Sequence, residues 1–254
     1  MAEATFTPDE MMTIAAARKL RDGDVCFVGI GKPSAAANLA RITHAPGVVL
    51  IYESGTIGAK PDVLPLSIGD GELADYAETV VSVPEIFRYW LQGGRVDVGF
   101  LGAAQIDKYA NLNTTVIGGT YEKPKVRLPG AGGAPEIASG AKEIWIIASH
   151  SKRVFVEKLD FCTSAAGHSS SKRAPPTVIS DLGVMVADQT SGELTLTGLH
   201  PGITVQQVRD ATGWDLKVAA QVETTSAPTM AELTALRDLY ARTAAAHGTS
   251  GEGE

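Results

Sequence analysis

Cysteine is nearly absent from this 254-residue chain: Cys26 and Cys162 are the two present. Two are too few for a disulfide framework, and neither has metal-ligating neighbours in sequence, so a reducing, cytoplasmic setting is the expectation. Positive charge is also in deficit. Lysine and arginine number 22 against 29 acidic residues, a formal net charge of −7, and the cations are scattered. Neutralising a phosphate backbone takes clustered cations, which argues against nucleic acid as a partner. An anionic small molecule stays compatible, because a few cations and a helix N-terminus can hold one. No run of about 18 apolar residues occurs, so no membrane span is expected. The opening MAEATFTPDEMM lacks the apolar core of a secretory signal. The five histidines show no H-E-x-x-H or related spacing, so no metal site is expected.

Apolar residues make up 44% of the chain, near the globular average and enough for a real core. The 27 glycines lie in discrete clusters, which suggests tight turns and close backbone approaches. Periodicity predicts a helix from Pro8 to Arg21, with Met11, Ile14, Ala15 and Leu20 on one face. VCFVGIG (25–31) then reads as a buried strand. SAAANLARITHA reads as a helix with Ser34 as its N-cap, and VVLIYESG (48–55) as a second strand. Helices are expected over ELADYAETVV and VPEIFRYWLQGG, followed by strands at VDVGFLGAAQ and EIWIIASH. Strands apolar on both faces and alternating with helices specify an α/β fold, an open, largely parallel sheet covered by helices on both faces. TVISDLGVMVAD and ELTLTGLHPG suggest a short antiparallel addition near the C-terminus. TVQQVRDATGWDL and APTMAELTALRDLYARTAAAH close the chain as helices, the last with Met230, Leu233, Leu236 and Leu239 on its apolar stripe. The expected organisation is one domain over 1–247 and a disordered tail over 248–254. Residues 167–176 (GHSSSKRAPP) are expected to form an exposed loop.

Three places could carry chemistry. Glu53 ends an otherwise apolar strand just before Ser54 and Gly55, and functional groups of parallel sheets collect at the carboxyl ends of strands. A polar strand-end residue pairing with a cation would also explain it. In LPGAGGAPE (128–136), Gly130, Gly132 and Gly133 could expose amides suited to an oxyanion or phosphate; a plain connecting loop is the simpler account. GIGKPS (29–34) lacks a complete G-x-G-x-x-G and reads better as a packing turn, although Lys32 could contact an anion. Phe87, Tyr89 and Trp90 suit helix packing or a subunit interface. Ser54 has no G-x-S-x-G elbow around it, which disfavours a serine nucleophile.

The stretches CFVGIGKPSAAANLAR, VVLIYESGTIGAKPDVLPLSIGDGELAD, EIFRYWLQGGRVDVGFLGAAQIDKYANLNTTVIG and KPKVRLPGAGGAPEIA resemble the B (β) subunits of family I CoA-transferases. The resemblance runs from about Asp9 to His247, and ESG and GAGGAPE together are specific. It implies an open α/β fold shared with sugar-phosphate isomerases and makes Glu53 the catalytic nucleophile. The reaction it implies moves CoA from an acyl-CoA such as succinyl-CoA to a carboxylic acid such as 3-oxoadipate, through a glutamyl-CoA thioester. Other dicarboxylates, as in glutaconate-type enzymes, stay open as acceptors. CoA is then a substrate, with no permanently bound cofactor, and an α subunit is the expected partner in a hetero-oligomer.

With that chemistry, the amides of Gly132 and Gly133 are expected to serve an oxyanion, with Gly130, Ser54 and Gly55 shaping the CoA site. Ser82 matches a position for a polar oxyanion donor. The loop at 167–176 is shorter than the glycine-rich segment expected of close relatives, a difference bearing on acyl selectivity. Two other readings have distinct signatures: an acyl-CoA hydrolase on the same fold, which would release CoA without an acceptor, and a ligand-sensing regulatory domain, which would need a DNA-binding partner chain.

Overall fold

The computed structural model describes residues 5–165 and 174–248. The chain divides into two compact units: Met1–Asp97 with Ala227–Glu254, and Val98–Ser226.

In the first unit, α1 (Pro8–Ala17) starts at a reciprocal cap. The Glu10 amide donates to Thr7 Oγ1 at 3.2 Å, and the Thr7 amide donates to Glu10 Oε2 at 2.8 Å. Pro8 occupies the first turn, where no donor is needed. Met11, Ile14, Ala15 and Leu20 are all buried, as the periodicity requires. β1 (Val25–Val28) follows, then α2 (Lys32–Ile42) and β2 (Val49–Ile51), with β1 and β2 parallel and Cys26 opposite Leu50. Ser34 is not the N-cap of α2. Gly31, at φ 83, turns the chain, and Pro33 supplies a preset φ in the first turn. Ser34 therefore sits inside the helix, 1% exposed.

β3 (Thr56–Ile57) folds back antiparallel to β2, and β4 (Thr79–Val80) lies antiparallel to β3. The helix expected over 72–81 is much shorter: α3 covers Gly71–Asp75. The β-branched run Thr79–Val81 pairs with the β3 hairpin instead, and β-branched residues suit a pleated surface better than a helix. α4 (Val83–Glu85) continues into a π-helical segment, Ile86–Leu91. There the Gln92 amide reaches back five residues to Phe87 O at 2.8 Å. Phe87 packs on Phe27, with ring centroids 5.6 Å apart, while Tyr89 is 60% exposed.

The second unit contains β5 (Val98–Gly102), β6 (Gln105–Ile106), β7 (Leu112–Asn113), β8 (Val116–Gly119), β9 (Pro124–Arg127), α5 (Ala134–Gly140), β10 (Glu143–Ile147), β11 (Thr177–Ile179), β12 (Gly183–Ala187), β13 (Leu194–Leu199), α6 (Val205–Ala211) and β14 (Lys217–Thr224). β5, β10 and β11 are parallel neighbours. Consecutive residues of β5 and β10 are buried, so both faces of these strands are covered. β11, β12 and β13 form the antiparallel addition, and β14 pairs parallel to β13. Two small antiparallel ribbons, β6–β7 and β8–β9, complete the unit. The sheet is thus mixed and mostly parallel, with antiparallel strands added to a parallel centre.

α7 (Met230–His247) belongs to the first unit, where it packs on α1 and α2. Leu233, Leu236 and Leu239 are buried, but Met230 is 60% exposed. It is the first helical residue, immediately after the Thr229 cap, and so sits short of the buried stripe. Two ion pairs hold α7 to α1: Arg18–Glu232 and Arg237–Glu10, each at 2.6 Å. Burial raises the Glu232 pKa, but hydrogen bonds from Arg18 and Thr229 outweigh it and bring it down to about 2. Residues 249–254 of the expected tail, and 167–173 of the expected exposed loop, lie outside the described residues.

Candidate active site

Glu53 stands at the tip of a tight turn between β2 and β3. The Gly55 amide donates to Tyr52 O at 3.0 Å and the Tyr52 amide to Thr56 O at 3.1 Å, so Glu53 and Ser54 are the two central residues of a closed four-residue turn. Gly55 has φ +105, and a Cβ built there would lie 2.0 Å from Val81 O. Only glycine allows β4 to approach this closely, which explains the residue after Ser54. The Val81 amide completes the contact, donating to Gly55 O at 2.9 Å.

A buried polar network holds the turn from beneath. The Tyr52 hydroxyl lies 3.0 Å from Ser34 Oγ and accepts from Asn38 Nδ2 at 3.2 Å. Arg41 Nε donates to Asn38 Oδ1 at 3.2 Å, and its Nη2 donates to Pro61 O at 2.6 Å. Burial pushes the Tyr52 phenol up to about 12, against the pull of its two hydrogen bonds, so it acts as a neutral anchor. Ser34 and Tyr52 link α2 to the turn that carries Glu53. No sequence motif announces this link; its signal is a lone tyrosine and a lone serine in apolar runs.

Against this fixed frame the Glu53 side chain is half-buried, and its carboxylate forms no hydrogen bond or ion pair with any described residue. Three other carboxylates, those of Glu72, Glu85 and Glu136, differ. Glu72 Oε1 accepts the amides of Asp62 (2.8 Å) and Val63 (3.3 Å). Glu85 Oε2 accepts the Ser82 amide at 2.9 Å and the Ser82 hydroxyl at 2.8 Å, which holds Glu85 below the usual carboxylate range. Glu136 is exposed in the first turn of α5. Two hydroxyls in the Glu53 turn, Ser54 Oγ and Thr56 Oγ1, are buried without a partner. Lys32 pairs with Asp9.

Ser82 directly follows Val81 and so sits close to the turn, but its hydroxyl is spent on Glu85 in the cap of α4.

In the second unit, the glycine run is pinned by threonines. The Gly130 amide donates to Thr114 O at 2.9 Å, and Thr114 Oγ1 donates to Gly130 O at 2.8 Å. Thr163 Oγ1 in turn accepts the Thr114 amide at 2.9 Å and meets Thr115 Oγ1 at 2.6 Å. Gly130, at φ +105, therefore offers no free amide, and its expected donor role gives way to shaping the loop. The amides of Gly132, at φ +47, and of Gly133, the N-cap of α5, donate to no described residue. Thr114 and Thr163 are the supports of the glycine run that sequence reasoning misses, since isolated threonines near short strands carry no motif.

Among the described residues no three His, Cys, Asp or Glu side chains are grouped to hold a metal ion, and no helix is long and apolar enough to cross a membrane.

A family model described as coenzyme A transferase matches residues 9–211. The chain is 61% identical over 258 aligned residues to the B subunit of the 3-oxoadipate CoA-transferase of Pseudomonas knackmussii, covering 98% of each. To the B subunit of the glutaconate CoA-transferase of Acidaminococcus fermentans it is 33% identical over 239 residues, 88% of this chain and 89% of the relative. The crystal structure of the Acidaminococcus fermentans glutaconate coenzyme A-transferase superposes with a TM-score of 0.82, covering 92% of this chain and 95% of that one at 28% identity.

Proposed function

This chain belongs to the coenzyme A transferase family, and from that premise we propose that it is the β component of an enzyme moving CoA from succinyl-CoA to 3-oxoadipate through a thioester on Glu53. The observation that carries the assignment to Glu53 is its uncommitted carboxylate on a turn clamped from both sides. The acceptor follows the name of the 61% identical relative, a 3-oxoadipate CoA-transferase subunit; succinyl-CoA as the donor is part of the proposal.

The chemistry needs no separate base, because a carboxylate is already the nucleophile. A Glu53 oxygen attacks the thioester carbonyl, the C–S bond breaks, and CoA leaves as a thiolate, forming an acyl-glutamyl anhydride. The thiolate then attacks the glutamyl carbonyl, the anhydride C–O bond breaks, and the donor acid departs as a carboxylate. The acceptor carboxylate repeats the two steps in reverse and regenerates Glu53. Carboxylates are weak nucleophiles, so positioning must lower the barrier; holding both partners in place contributes up to about 7–11 kcal/mol. Each preorganised oxyanion donor contributes about 3–4 kcal/mol, a role we give to the amides of Gly132 and Gly133. Ser54 and Gly55 shape the nucleophile's turn. An α subunit completes the enzyme, in keeping with relatives that are themselves named as single subunits of their enzymes, and residues 1–247 act within it as one functional domain in a cytoplasmic hetero-oligomer.

The test is chemical. The complex with its α subunit is incubated with succinyl-CoA, treated with hydroxylamine or borohydride, and mapped by mass spectrometry. Modification at Glu53 and loss of at least about 10³-fold in kcat for Glu53→Gln are expected. Modification at Glu136 instead, or retained transfer by Glu53→Gln, would refute the assignment. Rapid CoA release with no acceptor acid would replace transfer by hydrolysis.

A further inference from the structure

The basic ribbon that leads into the glycine run has no part in the steps above. β8 and β9 are joined by residues 120–123, and Lys123, Lys125 and Arg127 follow at alternate positions, all exposed. Lys125 and Arg127 therefore project from one face of β9. The chain carries a net charge of −7, yet neither lysine has an acidic partner among the described residues. Arg127 is oriented by neutral groups: Nη2 donates to Tyr121 O at 2.5 Å, and the guanidinium lies 4.9 Å from the Tyr121 ring. That ring is itself braced by Phe161, with centroids 5.6 Å apart. Lys125 and Arg127 thus share one face of the ribbon, with exposed Lys123 just before it and no ion pair to any of the three among the described residues, an arrangement that attracts anions locally.

This ribbon is continuous with the glycine run. The Leu128 amide donates to Thr115 O at 3.0 Å and the Gly130 amide to Thr114 O at 2.9 Å, which carries the ordered track from β9 into the loop. The unpartnered amides of Gly132 and Gly133 come next. From Arg127 to Gly132 the chain spans at most about 17 Å. An acyl-CoA has two anionic demands separated by its pantetheine arm: an oxyanion at the thioester and phosphates at the nucleotide end.

We propose that Lys123, Lys125 and Arg127 seat the phosphates of the acyl-CoA nucleotide, so that one rigid segment of this chain holds the phosphates at its β9 end and the thioester oxyanion at its glycine end. The proposal rests on the reading of Gly132 and Gly133 as oxyanion donors, and it separates from that reading by experiment.

Steady-state kinetics of the assembled complex are measured with succinyl-CoA, succinyl-3′-dephospho-CoA and succinyl-pantetheine. The variants are Lys123→Gln/Lys125→Gln, Lys123→Arg/Lys125→Arg, and a control with the same charge change elsewhere, Lys152→Gln/Lys158→Gln. Neutralising the ribbon should raise KM for succinyl-CoA about 10-fold with kcat within twofold. It should also weaken the dependence of KM on ionic strength and leave kcat/KM for succinyl-pantetheine unchanged. The arginine pair should behave as the unaltered protein does, and the control pair should have no effect. A KM rise of equal size with succinyl-pantetheine, or with the control pair, would overturn the proposal. So would failure of the glutamine pair to assemble, which would give the cations to the partner subunit. Complete inactivity of the unaltered complex toward all three esters would instead refute the transferase reading.

Discussion

Gly55→Ala is the sharpest probe of the nucleophile turn, because Gly130 provides a matched reference. Both glycines have φ +105, but a Cβ at Gly130 meets nothing within 4 Å, whereas one at Gly55 falls 2.0 Å from Val81 O and 3.1 Å from Val81 C. The cost of forcing alanine into this backbone region is shared, about 1–3 kcal/mol. Gly55→Ala has a second cost: β4 must retreat by about 1 Å to restore a van der Waals distance, which strains or breaks the 2.9 Å bond from Val81 N–H to Gly55 O. Losing that bond adds about 0.5–1.5 kcal/mol, more if the groups stay buried and unpaired. Gly55→Ala should therefore destabilise the protein by about 1–2 kcal/mol more than Gly130→Ala. It should also displace the Glu53 carboxylate by a distance that costs transfer about 10²-fold in kcat. Urea denaturation of both variants gives the stability difference, and succinyl-CoA turnover by the assembled complexes gives the rate. Equal midpoints for the two variants, with Gly55→Ala keeping more than half its activity, would show that the close approach of β4 does not fix the turn.

Two further expectations concern the second unit. Thr114→Val removes the hydroxyl donated to Gly130 O and should cost about 1–2 kcal/mol and about 10-fold in kcat, with Thr114→Ser close to the parent; an unchanged kcat in the valine variant would detach the threonine clamp from catalysis. His150 is buried, stacked 3.7 Å over Phe155, and bonded at both ring nitrogens to Ser180 and Thr212. Burial brings its pKa down to about 4. The unfolded chain, with an ordinary imidazole near 6.5, holds the extra proton between those values. Stability should then be intact above about pH 6.5 and fall as the pH drops toward 4, by about 3 kcal/mol in all. Urea midpoints taken across that range should lose this part of their slope in His150→Gln; an unaltered slope would assign the acid sensitivity to other groups.

Much of this is legible in the residues. Apolar runs at 25–28, 98–102 and 143–147 are buried parallel strands, because a strand covered on both faces cannot alternate polar and apolar positions. Glu53 is visible as the one acid ending such a run. The failures have local causes. Ser34 reads as a cap by residue type, but Gly31 and Pro33 start the helix earlier and free the serine to bond Tyr52. Gly130 reads as an exposed amide by residue type, whereas its N–H bonds Thr114 O. The helix expected over 72–81 yields to pairing of β4 with β3, a contact between distant residues that no local window contains. The ribbon strands β6 to β9 are two to four residues long, too short for periodicity to register.

The first unit is interrupted in sequence: the chain leaves it at Asp97 and returns at Ala227. Its closing helix brings Glu232 to Arg18 and Arg237 to Glu10. At a translation rate of about 5–20 residues per second, these early residues wait roughly 11–45 s for partners 214 and 227 residues later. Throughout that delay the apolar flank of α1 and α2 destined for α7 has no cover from it, the kind of transiently exposed surface that makes a growing chain prone to aggregate.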